Sequence, residues 1–310
     1  LVLDSSWKEV NVKAGETSSF AATNKFQRSD LTLNKVENSW DTLQPQYNNI
    51  KLSDAVIELH AKNDIYEGEK LIYRSGDLIG KEVTNVAGQV KFHNLPLGEY
   101  FAKETIAPKG YILHDGVWNI SLKYDNDKLT TELITTESNL SNQIAYGKAK
   151  LHKTSKGGSE FLENAVFGLF TKDGEKLGEF ITDKKGELIS PSLRYGSYYW
   201  QELKAPTGYY LDNTKHYFDI TVEDHEDVIH IPIVNEYIEM KLQIIKTDAE
   251  TKLPLKDAVF EIYDSENELV SFTYLDDSYE TQVQSQLITN DKGIAFTRGN
   301  LKYGTYTLVE

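Results

Sequence analysis

The sequence predicts an all-β protein made of tandem β-sandwich domains. Three observations carry this. Short runs rich in Tyr, Val, Ile and Thr alternate apolar with polar residues, and Gly/Asx turn signals separate them every 8–12 residues or so. No amphipathic helix of convincing length is present; the acidic stretch LDDSYETQVQSQ (275–286) reads as a loop or as one or two helical turns. One ordered set of landmarks then returns three times along 310 residues, the mark of a repeat architecture.

The first landmark is an alternating strand that ends in Lys: DLTLNK (Lys35), KAKLHK (Lys153) and KLQIIK (Lys246). The second is an apolar strand, LSDAVIEL (52–59), LENAVFGL (162–169) and LKDAVFEI (255–262). A turn follows: TNVAG (84–88), TDKKG (182–186) and TNDKG (289–293), in which Asx and Gly supply the turn chemistry. The fourth is an aromatic strand that ends in Glu: GEYFAKE (Glu104), GSYYWQE (Glu202) and GTYTLVE (Glu310). An Asn closes each unit. Asn142 precedes Lys153 by 11 residues, Asn235 precedes Lys246 by 11, and Asn24 precedes Lys35 by 11.

These spacings divide the chain near residues 26, 145 and 238. Residues 1–25 read as the closing hairpin of a preceding unit, and 26–145 as a domain with an insertion, NSWDTLQPQYNN. Residues 146–237 form a second complete domain, and 238–310 a third that stops at its Glu. The linkers are short and poor in Pro and Gly, which predicts a semi-rigid rod.

Composition narrows the function classes. The chain carries 33 Lys and Arg against 48 Asp and Glu, a net charge of −15, with no basic patch, so a nucleic-acid partner is not expected. It has no Cys, which excludes disulfides and thiolate metal sites. No apolar run is long enough to span a membrane. No signal peptide opens the sequence, so the sorting signals of an exported protein would lie outside it.

Strand side chains alternate faces. Lys35 therefore shares a face with Leu31 and Leu33, Lys153 with Ala149 and Leu151, and Lys246 with Leu242 and Ile244. Glu104 falls in line with Tyr100 and Ala102, Glu202 with Tyr198 and Trp200, and Glu310 with Tyr306 and Leu308. Asn235 follows Ile231 and Ile233, Asn24 follows Phe20 and Ala22, and Asn142 follows Ser138 and Leu140. An amine, a carboxyl and a carboxamide are thus directed at each core. Burial disfavours charge: a buried amine loses its proton more readily and a buried carboxyl holds one. A neutral amine is a nucleophile, and a protonated carboxylic acid can donate to an amide oxygen, so the Glu is expected to polarise the carbonyl and to relay protons as a general acid/base. Together they suit attack of Lys Nζ on the Asn carboxamide, with loss of ammonia and formation of an isopeptide bond. The alternative is a buried Lys–Glu ion pair with Asn as a hydrogen-bonding filler. Three ordered triads at matched spacing favour the reactive reading.

The run LHKTS…LENAVFGLF…TDKKG…GSYYWQELKAPTGYYL…IPIVNE resembles the B-type domain of Gram-positive collagen adhesins and the SpaA-like domains of sortase-assembled pilins. In that family the Y-x-x-x-E-x-x-A-P-x-G-Y element is the E-box. The resemblance covers nearly the whole chain. It implies a transthyretin-like (prealbumin) β-sandwich, a self-formed Lys–Asn bond between first and last strands, and an extracellular, cell-wall-anchored location. Carried over residue by residue, the triads are Lys35–Glu104–Asn142 and Lys153–Glu202–Asn235. Lys246 and Glu310 would take an Asn beyond the chain end, and Asn24 a Lys before its start. No cofactor and no metal are implied, and the only reaction would be this single-turnover crosslinking.

Other candidates are weaker. His216, His225 and His230 sit near Asp224 and Asp227, a pattern that solvated strand and loop positions explain better than a metal. LDDSYE lacks the order of a calcium loop. Trp40 and Tyr47 of the insertion could serve a ligand patch or cover a sheet edge. Three functions stand open at this point. They are a stalk segment of a surface adhesin, a ligand-binding adhesin segment or pilin that contacts a host extracellular protein or glycan, and an accessory module of a secreted enzyme. Neighbouring repeats of the same polypeptide are the other expected partners.

Overall fold

A computed structural model describes residues 8–15, 17, 19, 21, 23–38, 50–128 and 133–310. Among these the regular structure is strand, apart from one 3-10 turn at Asn126–Lys128. The chain forms two compact units. The first holds Leu1–Gly147, Arg194–Gly196 and Ile220–Asp227; the second holds Lys148–Leu193, Ser197–Asp219 and Val228–Glu310.

The first unit contains an open sandwich. Its Lys35 strand, Arg28–Glu37, lies at the centre of a three-stranded sheet. Gln89–Pro96 pairs with it antiparallel, and the closing strand Leu133–Asn142 pairs with it parallel. The facing sheet is antiparallel, in the order Leu78–Val83, Val56–Ala61, Gly98–Ile106, Val117–Leu122. Alternation places Leu31, Leu33, Phe92 and Leu140 from one sheet against Ile57, Leu59, Tyr100, Ala102 and Ile120 from the other, all buried. The described residues of 8–25 contain a turn at 14–15 and no strand, and Asn24 is exposed there. Phe20, Ala22, Trp40 and Tyr47 lie outside the described residues.

The second unit repeats the plan. Tyr146–Ser155 pairs antiparallel with Glu187–Ile189 and parallel with the closing strand Val228–Asn235. Opposite it run Lys176–Ile181, Val166–Thr171, Gly196–Lys204 and Lys215–Ile220. A third, slighter core of Ile244, Phe260, Ile262, Phe272, Leu287, Ala295 and Leu301 gathers the short strands of 238–310. After Leu275 the acidic stretch is a loop over residues 276–280 and not a helical turn. It is the bend of a hairpin between Phe272–Leu275 and Thr281–Gln284, where Asp276 Oδ1 accepts from the Ser278 and Glu280 amides at 2.9 and 3.0 Å.

The turn landmark has a structural task in all three repeats: it holds the strand-end Lys by its backbone. Gly88, Gly186 and Gly293 have φ of 69, 68 and 70°. Their carbonyls accept from the amides of Lys35, Lys153 and Lys246 at 2.6, 2.7 and 2.8 Å. The Lys carbonyls in turn accept from Leu52, Leu162 and Leu255, each at 3.0 Å. The Asx side chain braces the bend: Asp183 Oδ1, for example, accepts from the Lys185 and Glu187 amides at 2.8 and 2.9 Å. A Cβ on Gly186 would collide with the Lys153 carbonyl oxygen, and the left-handed φ is itself costly for a side chain. Gly186→Ala is therefore expected to destabilise the second repeat by at least about 1 kcal/mol and to lower its melting temperature; an unchanged melt would refute this account of the turn.

Candidate functional site: two buried Lys–Glu–Asn triads

Each complete repeat brings its three polar residues together by strand register. In the parallel pair of the first repeat, Lys35 faces Leu140 and Glu37 faces Asn142, so Lys35 and Asn142 are diagonal neighbours on one face. In the second, Lys153 faces Ile233 and Ser155 faces Asn235, the same two-residue offset. The Glu arrives from the opposite sheet, Glu104 across from Ile57 and Glu202 across from Phe167. All six side chains are buried, the two lysines at 0% exposure.

In the second repeat Lys153 Nζ donates to Asn235 Oδ1 in a very short contact, and lies 3.5 Å from Glu202 Oε1. The Asn235 carboxamide nitrogen donates to both Glu202 oxygens, at 2.9 and 3.0 Å. The carboxylate thus sits beside both the amine and the amide nitrogen that would leave. It does not touch the Asn carbonyl oxygen, so the geometry favours a proton relay over polarisation of that oxygen.

The first repeat has the same parts in a different arrangement. Lys35 Nζ stands 3.1 Å from Glu104 Oε1, and Asn142 Nδ2 donates to Glu104 Oε2 at 2.7 Å and to the Ile112 carbonyl at 2.9 Å. Lys35 Nζ, Glu104 Oε1 and Asn142 Oδ1 are each buried without a partner in hydrogen-bonding geometry. Lys35 Nζ and Glu104 Oε1 still meet as an ion pair, so the unsatisfied group is Asn142 Oδ1, at a cost of about 1–3 kcal/mol.

Burial is the leading cause that lowers the pKa of Lys35 and of Lys153, with the adjacent Glu opposing it in part. Both amines are therefore closer to the neutral, nucleophilic form than a surface lysine. Reasoning from the sequence missed the surroundings. Lys35 Nζ lies 4.2 Å from the centre of the Trp118 ring, and Lys153 Nζ lies 5.4 Å from that of Phe167. The backbone amides of His114 and Asp212 donate to Glu104 Oε2 and Glu202 Oε2 at 2.9 and 2.8 Å. Both donors stand ten residues after their Glu, a constancy visible in the sequence.

The remaining candidates are not assembled in this way. Lys246 Nζ pairs with Glu310 Oε2 at 2.5 Å, partly exposed, and Asn24 is exposed. His216 binds Asp212 at 2.7 Å, His225 lies against Tyr146, and His230 stacks on His152. Among the described residues no group of His, Cys, Asp or Glu is arranged to hold a metal, and no helix is long and apolar enough to cross a membrane.

This fold has relatives. The SpaA prealbumin-like fold domain matches residues 43–137, 147–236 and 240–310, and the chain belongs to that family. The Bacillus anthracis TIE protein is similar over 91% of this chain at 25% identity, with a TM-score of 0.64; the chain spans 45% of that protein. A streptococcal ancillary pilin aligns over 68% of this chain and 63% of its own at 21% identity, TM-score 0.29. The C-terminal fragment of the pilus adhesin SpaC from Lactobacillus rhamnosus GG aligns over 69% and 99% at 14% identity, TM-score 0.42. Among curated protein sequences none matches this chain. The chain is thus a set of SpaA-family prealbumin-like domains with buried Lys–Glu pairs in their cores.

The lowered lysine pKa carries a sign that can be tested. In an Asn235→Ala chain, which has no carboxamide to attack, Lys153 remains an amine. Its folded pKa lies below the free value of 10.5, so within that window the unfolded chain binds more protons and stability rises with pH. The stability gap between Asn235→Ala and Asn235→Ala/Lys153→Met, read by urea unfolding, is expected to narrow as pH is raised toward 10.5; a constant or widening gap would contradict it.

Proposed function

We propose that this chain is a load-bearing stalk segment of a cell-wall-anchored surface adhesin, and that Lys35–Asn142 and Lys153–Asn235 become isopeptide bonds. The observation that carries this reading is the second triad, where a buried amine touches the carboxamide it would attack and a buried carboxylate holds the leaving nitrogen. Lys Nζ adds to Asn Cγ, the new C–N bond replaces the C–NH2 bond, Glu transfers a proton from the incoming to the departing nitrogen, and ammonia leaves. Glu104 and Glu202 are the acid/base groups.

A purely structural role explains the triads less well. Isolated buried ion pairs seldom stabilise a fold more than apolar residues of similar volume would, yet both complete repeats retain one together with a carboxamide. The bond ties the first strand to the parallel last strand, where the chain enters and leaves the sandwich. Tension then bypasses the sheets. Closing a loop of ~100 residues, by analogy with a disulfide, restricts the unfolded chain by roughly 4–5 kcal/mol.

A stalk of this kind cannot be drawn out. Pulled from its ends in a force spectrometer, the wild-type chain is expected to release none of the length enclosed between Lys153 and Asn235. A Glu202→Ala chain should release it in one step. Extension of that loop in the wild-type chain would defeat the stalk reading.

A further inference from the structure

The turn that leads into each Glu strand reads Leu-Pro-Leu-Gly at 95–98, Leu-Arg-Tyr-Gly at 193–196 and Leu-Lys-Tyr-Gly at 301–304. The segment after each complete E-box reads Ala-Pro-x-Gly-Tyr, at 107–111 and 205–209. Within the second unit the 301–304 turn of the third repeat is seated on the 205–209 tail of the second. Tyr303 lies over Gly208, whose φ is 89° and whose missing Cβ would stand 3.2 Å from the Tyr303 ring. The linker residue Ile238 is bound on both sides: its amide donates to the Gly208 carbonyl and its carbonyl accepts from the Tyr303 amide, both at 2.8 Å. Glu160 receives the Tyr209 hydroxyl at 2.7 Å and faces Lys302 Nζ at 3.6 Å, while Lys302 covers the Tyr237 ring at 3.8 Å.

A matching set of contacts recurs within the first unit, with a Glu supplied from a different position. A Cβ on Gly110, at φ 84°, would meet the Tyr195 ring at 2.5 Å. Ala145 takes the place of Ile238: its amide donates to Gly110 at 2.9 Å and its carbonyl accepts from Tyr195 at 2.7 Å. Glu37 receives the Tyr111 hydroxyl at 2.6 Å and a bidentate pair from Arg194 at 2.9 and 2.8 Å. Two occurrences with different side chains and one geometry are hard to attribute to accident. The Arg194–Glu37 pair is nearly dry, the Lys302–Glu160 pair half exposed, so the second joint is the weaker.

We infer that the Leu-[Arg/Lys]-Tyr-Gly turn is a docking key, and the Ala-Pro-x-Gly-Tyr tail its lock, by which one repeat is fixed on the repeat before it. The glycine is required because the key's tyrosine occupies the space of its side chain. Pro96-Leu97 carries neither the cation nor the tyrosine, so the first repeat lacks the key. Each lock lies beside a triad. Tyr111 bridges Ile144, two residues past Asn142, and Tyr209 bridges Tyr237, two past Asn235. Load would pass from crosslinked strand to joint without crossing a free loop. The inference stands on the geometry of the joint and holds whether or not the isopeptide bonds form.

The chain is free of Cys, so spin labels can be placed at Lys184→Cys and Lys292→Cys, exposed turn positions in repeats two and three. Pulsed dipolar spectroscopy of the full chain is expected to give one narrow distance distribution. Lys302→Pro/Tyr303→Leu copies the turn with which repeat one already folds; it should broaden the distribution at least about twofold with melting unchanged, since mobility is the default between weakly joined domains. Glu160→Gln/Tyr209→Phe, on the lock side, should broaden it as well. A broad wild-type distribution, or narrow ones in both variants, would overturn the inference.

Discussion

The structure depends on one awkward placement, a lysine at the end of an apolar strand with its ammonium inside the sandwich. Water cannot reach it, so the core must supply a counter-charge, and the Glu strand of the opposite sheet does so. Such a pair offers little to stability by itself. It acquires a purpose once a carboxamide is placed against it, because the desolvation that makes the ammonium costly also makes the amine reactive. The β-sandwich contributes register. Parallel pairing of first and last strands sets Lys and Asn two residues out of step, within reach of each other.

Much of this was legible in the sequence. Period-two alternation around Leu31, Leu33 and Lys35, or Ala149, Leu151 and Lys153, allows only one face for the lysine once the neighbours are buried, and the structure buries it. The polar run Ser138-Asn139 before Asn142 made the first closing strand less obvious, yet Asn142 is as buried as Asn235, because Leu140 anchors the strand to the core. Repeat spacing indicated which residues belong to each set but not their contacts. That the Glu carboxylate meets the amide nitrogen, or that Trp118 lies against Lys35, follows from side-chain packing across two sheets. The hairpin at 272–284 escaped notice because its bend is dominated by carboxylates and lacks a Gly.

The turn and linker residues were the least legible. Gly88, Gly186 and Gly293 read as ordinary turn glycines, whereas their carbonyls clamp the backbone of Lys35, Lys153 and Lys246. Ala145 and Ile238 have no pattern of their own, and their importance appears only when their two hydrogen bonds are seen.

The central claim is chemical, that the two buried triads react, and intact mass measures it directly. A fully reacted chain has lost two molecules of ammonia and weighs about 34 Da less than its sequence, with the deficit assigned by tandem mass spectrometry to peptides branched at Lys35–Asn142 and Lys153–Asn235. A folded chain with the full sequence mass and no branched peptide would contradict the account.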